Sequence, residues 1–158
     1  MKYSKDVTIN HPISSRYKRH LIELNELMRR EGANRDYFNN DTPVIDLDAI
    51  EKSKRTGFAK ETMDFSIGLS HNHNRQMLLV EAKIRVANSN NLNKSELSDK
   101  IKHSKELLTH EITISKDMIF LFQEKIIQKA KHTLLRHFNN NPNFKACTIS
   151  QFKEEYFQ

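Results

Sequence analysis

Two neighbouring stretches decide the fold: Thr62-Met63-Asp64-Phe65-Ser66-Ile67-Gly68-Leu69 and Gln76-Met77-Leu78-Leu79-Val80-Glu81-Ala82-Lys83-Ile84-Arg85-Val86. In the first, Phe65, Ile67 and Leu69 alternate with Asp64, Ser66 and Gly68. That is the period of a strand, whose successive side chains point to opposite faces. The second begins with a continuous apolar run, Met77 to Val80, as a central strand covered on both faces requires. Between them, Ser70-His71-Asn72-His73-Asn74-Arg75 is polar and suited to a turn, so the pair reads as a hairpin.

The hairpin poses an electrostatic problem. Glu81 and Lys83 continue the face of Met77 and Leu79, at the end of a buried strand. Charges there are costly unless they are paired or bind something. Asp64 opens the adjacent strand, and the hairpin brings it beside Glu81, where two carboxylates repel. The usual remedy is a divalent cation, and oxygen ligands of this kind suit magnesium or manganese.

Outward from the hairpin, Ser14 to Glu31 is expected to be helical. Tyr17, Leu21, Leu24 and Met28 fall at i, i+4, i+7 and i+11 in one stripe, and Gly32 suits a stop. Asn34 to Glu61 reads as a loop carrying Pro43 and the basic residues Lys52, Lys54 and Arg55, with a short helix around Asp46 to Lys52. Ser95 to His110 reads as a helix with Leu97, Ile101 and Leu108 inward, and Asn93 followed by Glu96 suits its cap. Asp117 to Phe122 is expected as a short buried strand. Glu124 to Phe138 follows as a helix, with Ile127, Ala130, Leu134 and Phe138 on one face. The tail offers a strand at Lys145 to Ile149 and a short helix opened by Ser150. The order predicts one α/β domain, residues 1–158, with a mixed central sheet flanked by helices. Its core is placed at about 14–138, with 139–158 as a C-terminal extension.

Composition narrows the function. The 158 residues are 37% apolar and 29% charged, enough for one modest core and unlike a disordered chain. The longest apolar runs fall far short of the ~20 residues of a helical membrane span, and Met1 to Val7 has no apolar leader. One cysteine, Cys147, excludes an internal disulfide and a cysteine zinc cage, so a reducing cytoplasm is the expected location. Twenty-six Lys and Arg against 20 Asp and Glu give a net charge of +6, which permits a polyanionic partner. Only three glycines are present, and no Gly-rich phosphate loop is among them.

At Met63-Asp64 and Val80-Glu81-Ala82-Lys83 the chain resembles the PD-(D/E)XK nuclease superfamily, the restriction-endonuclease-like fold with an αβββαβ-type core. Met63 stands where the family name has proline. The resemblance spans roughly Tyr17 to Phe138. It implies metal-dependent hydrolysis of a phosphodiester, by an endonuclease acting on DNA. Asp64, Glu81 and the backbone carbonyl of Ala82 would hold magnesium or manganese, and Lys83 would orient the attacking water or stabilise developing charge. A homodimer would be expected if both strands are cut. Many relatives add an acid from the first helix. Here Glu31 continues the Tyr17–Met28 stripe and Glu23 lies off it. The glutamine–tyrosine motif of some exonuclease branches is absent around Gln123 and Gln128.

Other readings stand beside this one. Glu81 and Lys83 could form a solvent-facing cross-strand pair, which would require Met77 and Leu79 to share an exposed face. A non-catalytic relative would bind nucleic acid or serve as a subunit of a larger assembly. Lys125, Lys129, His132 and Arg136 share one helical face, either a phosphate-tracking stripe or a solvated surface. The same choice applies to Lys52, Lys54, Arg55 and Lys60. His71 and His73 lack a third ligand and read as loop residues. Cys147 has no evident base and reads as a small buried apolar group.

Overall fold

The computed structural model describes residues 1–55 and 57–158; position 56, inside the expected loop, lies outside them. Among the described residues, seven strands form one mixed sheet: β1 (Lys2–Tyr3), β2 (Leu21–Glu23), β3 (Pro43–Asp46), β4 (Phe65–His71), β5 (Asn74–Ala82), β6 (Thr113–Leu121) and β7 (Phe144–Cys147). Their order is β2-β3-β4-β5-β6-β7, with β1 paired to β4. The pairs from β2 through β5 are antiparallel, and β5–β6 and β6–β7 are parallel.

The helices of the described residues are α1 (Lys5–Asn10), α2 (Pro12–Arg16), α3 (Leu24–Arg30), α4 (Leu47–Ser53), α5 (Lys94–Leu107), α6 (Ile127–His137) and α7 (Ile149–Phe157). The crossovers through α5 and α6 place both helices on one face, as parallel strands require. There Leu97, Ile101, Ala130 and Leu134 pack on Met77, Leu79, Met118 and Phe120. Helices α3 and α7 cover the other face, with Leu24, Leu27, Met28 and Phe152 against Phe65, Ile67, Leu78 and Val80. The central strands are apolar on both sides because both sides are covered.

The hairpin forms around a two-residue turn, Asn72-His73, with Ser70, His71, Asn74 and Arg75 paired in its strands rather than in the turn, and β5 ends at Ala82, short of Val86. Phe65 pairs with Val80 and His71 with Asn74, and Asn72 supplies the left-handed turn at φ 52°. Gly68 is needed where it stands. A Cβ there would lie 2.6 Å from the backbone nitrogen of Thr8, because α1 lies directly on β4. The Ser4 N–H donates to the Gly68 carbonyl at 2.8 Å, and the Gly68 N–H donates to the Thr8 hydroxyl at 2.9 Å. Asn93 caps α5 by accepting from the Glu96 N–H, and the expected helix near Asp46 is α4, capped by the Asp46 side chain.

Three expectations are corrected. Residues 14–31 are not one helix: Leu21–Glu23 is an edge strand between α2 and α3. Tyr17 and Leu21 pack into one core and Leu24 and Met28 into the other, so the chain must cross the sheet edge between them. The 34–61 segment is not loop throughout, since Pro43 opens β3, the first position of a strand being one that tolerates proline. The core extends beyond 14–138 at both ends. Val7 is buried, β7 is hydrogen-bonded to β6, and Phe152 and Tyr156 of α7 fill the second core. Among the described residues, no helix is long and apolar enough to cross a membrane.

Candidate active site at the carboxyl end of β5

The antiparallel register ends with Phe65 opposite Val80, and just beyond it Asp64 meets the end of β5 beside Glu81. Asp64 precedes β4, and its Oδ2 accepts from the Ala82 N–H at 2.6 Å. Its carbonyl is fixed by the Leu47 N–H at 3.1 Å, which ties the start of α4 to the site. Glu81 is 1% exposed, with Met77 and Leu79 fully buried on the same face. The solvent-facing reading of Glu81 and Lys83 is therefore overturned.

Lys83 lies just past the end of β5, held by its N–H to the Leu121 carbonyl at 2.8 Å. Its Nζ is 2.9 Å from Glu81 Oε1. The three residues expected from the sequence are thus brought together. A fourth was missed: Lys100, from α5, whose Nζ lies 2.7 Å from the same Oε1. Lys100 sits one helical turn from Leu97 and from Ser104, both buried, and that spacing was the available signal. Glu96 stands 3.8 Å from both ammonium groups.

The two lysines share Oε1 and leave Glu81 Oε2 buried without a hydrogen-bond partner among the described residues. An unpartnered buried carboxylate oxygen is costly. The Asp64 carboxyl is pushed up to about 7, first by burial and then by the Glu81 charge, against the pull of the Ala82 N–H and Lys100. Glu31 adds to that repulsion, so its charge also reaches the site. It flanks Arg30, which pairs with Asp46 at 2.7 Å. Glu23 is elsewhere, its carboxylate taken by the Thr42 N–H at 2.7 Å.

The donor chemistry fits a hard divalent ion: a bare oxygen on Glu81, a second carboxylate beside it and the Ala82 backbone next to both. No cluster of three or more His, Cys, Asp or Glu side chains with metal-binding geometry occurs among the described residues. The site lies at the carboxyl ends of the parallel strands, where open α/β sheets bind ligands. At the same end of the sheet a polar cleft of about 500 Å³ is lined by Arg35, Tyr37, Ile84, Gln123 and Thr148, and by none of Asp64, Glu81, Lys83 or Lys100. The Gln123 side chain closes one wall by donating to the Ile84 carbonyl at 2.5 Å. An apolar groove of about 510 Å³ beside β7, between Leu135 and Glu154, contains none of the site residues.

The basic residues fall in two groups. Lys52, Lys54 and Lys60 are paired with Asp48, Glu51 and Glu106, and Arg55 is exposed. Lys125, Lys129, His132 and Arg136 are exposed along α6 and the turn before it, with no ion pair among the described residues. That stripe starts two residues after Gln123, at the site's end of the sheet. His71 and His73 are exposed at the hairpin tip, and Cys147 is a buried free thiol at the end of β7, pushed up to about 12 by burial. The chain matches no family model, no curated protein and no solved structure.

Proposed function

We propose that the protein is a metal-dependent nuclease that hydrolyses phosphodiester bonds, acting on DNA as an endonuclease. The observation that carries this reading is the bare, buried Oε2 of Glu81 beside Asp64, on a strand that Lys83 directly follows. The sequence of elements adds support. Three antiparallel strands (β3, β4, β5), a crossover helix (α5) and a parallel strand (β6) follow α3. That succession resembles the αβββαβ core of the restriction-endonuclease-like fold.

Asp64, Glu81 and the Ala82 carbonyl would hold magnesium or manganese. When bound, such an ion polarises the scissile phosphate and lowers the pKa of a coordinated water. The chain's own groups do the rest. Lys83, fixed by Glu81 at 2.9 Å, presents an ammonium to the phosphate and offsets charge that develops on its oxygens. Asp64 carries a proton in part at neutral pH, and must release it to act as a ligand. The stripe from Lys125 to Arg136 would follow the phosphate backbone away from the site. Two active sites related by a homodimer axis would serve the two strands.

A second reading is favoured by one observation, the pairing of Glu81 with both Lys83 and Lys100. It gives the acids counter-charges without any metal, as a non-catalytic nucleic-acid-binding protein or an assembly subunit would need. Purified protein incubated with plasmid, linear and branched DNA, and RNA, in magnesium or manganese, separates the two. The nuclease reading expects cleavage that EDTA abolishes and Lys83→Ala suppresses. Inertness on every substrate, or equal cleavage by Lys83→Ala and wild type, overturns it.

A further inference from the structure

Lys100 has no assigned part in the chemistry above, yet its contact with Glu81 is shorter than that of Lys83. It reaches the acid from another element: α5 packs Leu97 and Ile101 into the core and projects Lys100 over the end of β5. Its side chain is 15% exposed and that of Glu81 is 1% exposed. With Asp64 ionised, the charges of Asp64, Glu81, Lys83 and Lys100 cancel, and Glu96 stands 3.8 Å from both ammonium groups.

We propose that Lys100 is a built-in counter-ion that competes with the divalent metal for the Asp64–Glu81 pair and so sets the metal affinity of the site. This rests on the nuclease reading. Two features support competition over simple structural bracing. The ammonium occupies one oxygen of Glu81 while the other has no partner among the described residues, so a cation arriving at Oε2 meets a positive charge on the same carboxylate. Lys100 also has somewhere to go. Glu96 lies one turn back on the same helix, 3.8 Å away and 42% exposed, the arrangement of an i, i+4 surface pair. An ammonium parked on Glu96 would relieve repulsion at the acids and remain paired.

Manganese and magnesium titrations by calorimetry on the full chain test this, with thermal melts with and without magnesium as a second readout. Lys100→Gln keeps a hydrogen-bond donor for Oε1 and removes the charge. It is expected to bind metal about tenfold or more tightly than wild type and to gain more in Tm on adding magnesium. Glu96→Gln removes the parking place and is expected to bind metal several-fold more weakly. Unchanged or weaker binding by Lys100→Gln overturns the proposal. If wild type meanwhile binds metal through Asp64 and Glu81, the nuclease reading survives that result. If neither wild type nor Lys100→Gln binds metal, both fall. Should Lys100→Gln fail to fold, Glu96→Gln decides, and unchanged binding by it counts against competition.

Discussion

The Ala82 N–H donates to Asp64 Oδ2 at 2.6 Å, tying the residue before β4 to the end of β5 across the hairpin. Because Ala82 follows Glu81, this bond holds the Asp64 carboxyl close to Glu81, whose charge helps to raise it. It also directs the Asp64 carboxylate toward the end of β5, which Lys83 follows.

The Asp64 carboxyl is raised from its ordinary 3.8 to about 7, so the folded chain favours its protonated form. The stability this confers is fully present below the unfolded value near 4 and is lost as pH rises through about 7. In metal-free buffer, wild type should therefore lose unfolding free energy relative to Asp64→Asn between those limits. The difference should reach roughly 4 kcal/mol at most, and urea denaturation across the pH range measures it. Parallel stability curves for the two proteins would remove the assigned proton from Asp64.

Lys83 is largely buried and braced by Glu81, but Lys100 also balances that acid. Lys83→Met should fold and retain metal binding while cleaving about 10²–10³-fold more slowly, the usual cost of removing one transition-state charge donor. Single-turnover cleavage at saturating magnesium checks it. A change in KM alone would assign Lys83 to substrate binding.

Lys129 and Arg136 are exposed on α6 and make no ion pair among the described residues. Reversing both to glutamate should leave the Tm nearly unchanged and weaken DNA binding. The slope of log affinity against log salt should fall by about one for each phosphate that the stripe no longer neutralises. Fluorescence anisotropy in a salt series measures this, and an unchanged slope would make the stripe a solvated face.

Gly68 admits no side chain, because a Cβ would press on Thr8 and Val7 at 2.6 Å. Gly68→Ala should force α1 off β4 and cost about 1–3 kcal/mol. In the tail, Phe152 is fully buried between Phe38 and Phe65, edge to face with each, and Phe152→Ala should cost about 3–5 kcal/mol. Denaturant titrations check both, and a neutral Phe152→Ala would return the tail to the status of an extension.

The hairpin, the central strand and both crossover helices were legible in the sequence because each follows from local periodicity, and the meeting of Asp64, Glu81 and Lys83 follows from the pairing of the hairpin. What escaped depends on partners far along the chain. Leu21–Glu23 fits a helical stripe as well as a strand, and only pairing with Pro43–Asp46 decides between them. Pro43 looks like a loop residue until its place at the head of an inner strand is known. Lys100 looks like any lysine on a solvated helix, and only the crossing of α5 over β5 places it on Glu81. Glu31 enters the electrostatics of Asp64 through the end of α3, after the break at β2 has moved that helix to the opposite face of the sheet.

The proposed chemistry requires Asp64 and Glu81 to hold a hard cation together. Anomalous diffraction from crystals grown or soaked in manganese tests it most directly. One dominant peak is expected beside Glu81 Oε2 and within ligand distance of Asp64, absent from Glu81→Gln crystals. Manganese bound elsewhere, with Lys100 still seated on Glu81 and no density between the two acids, would contradict it.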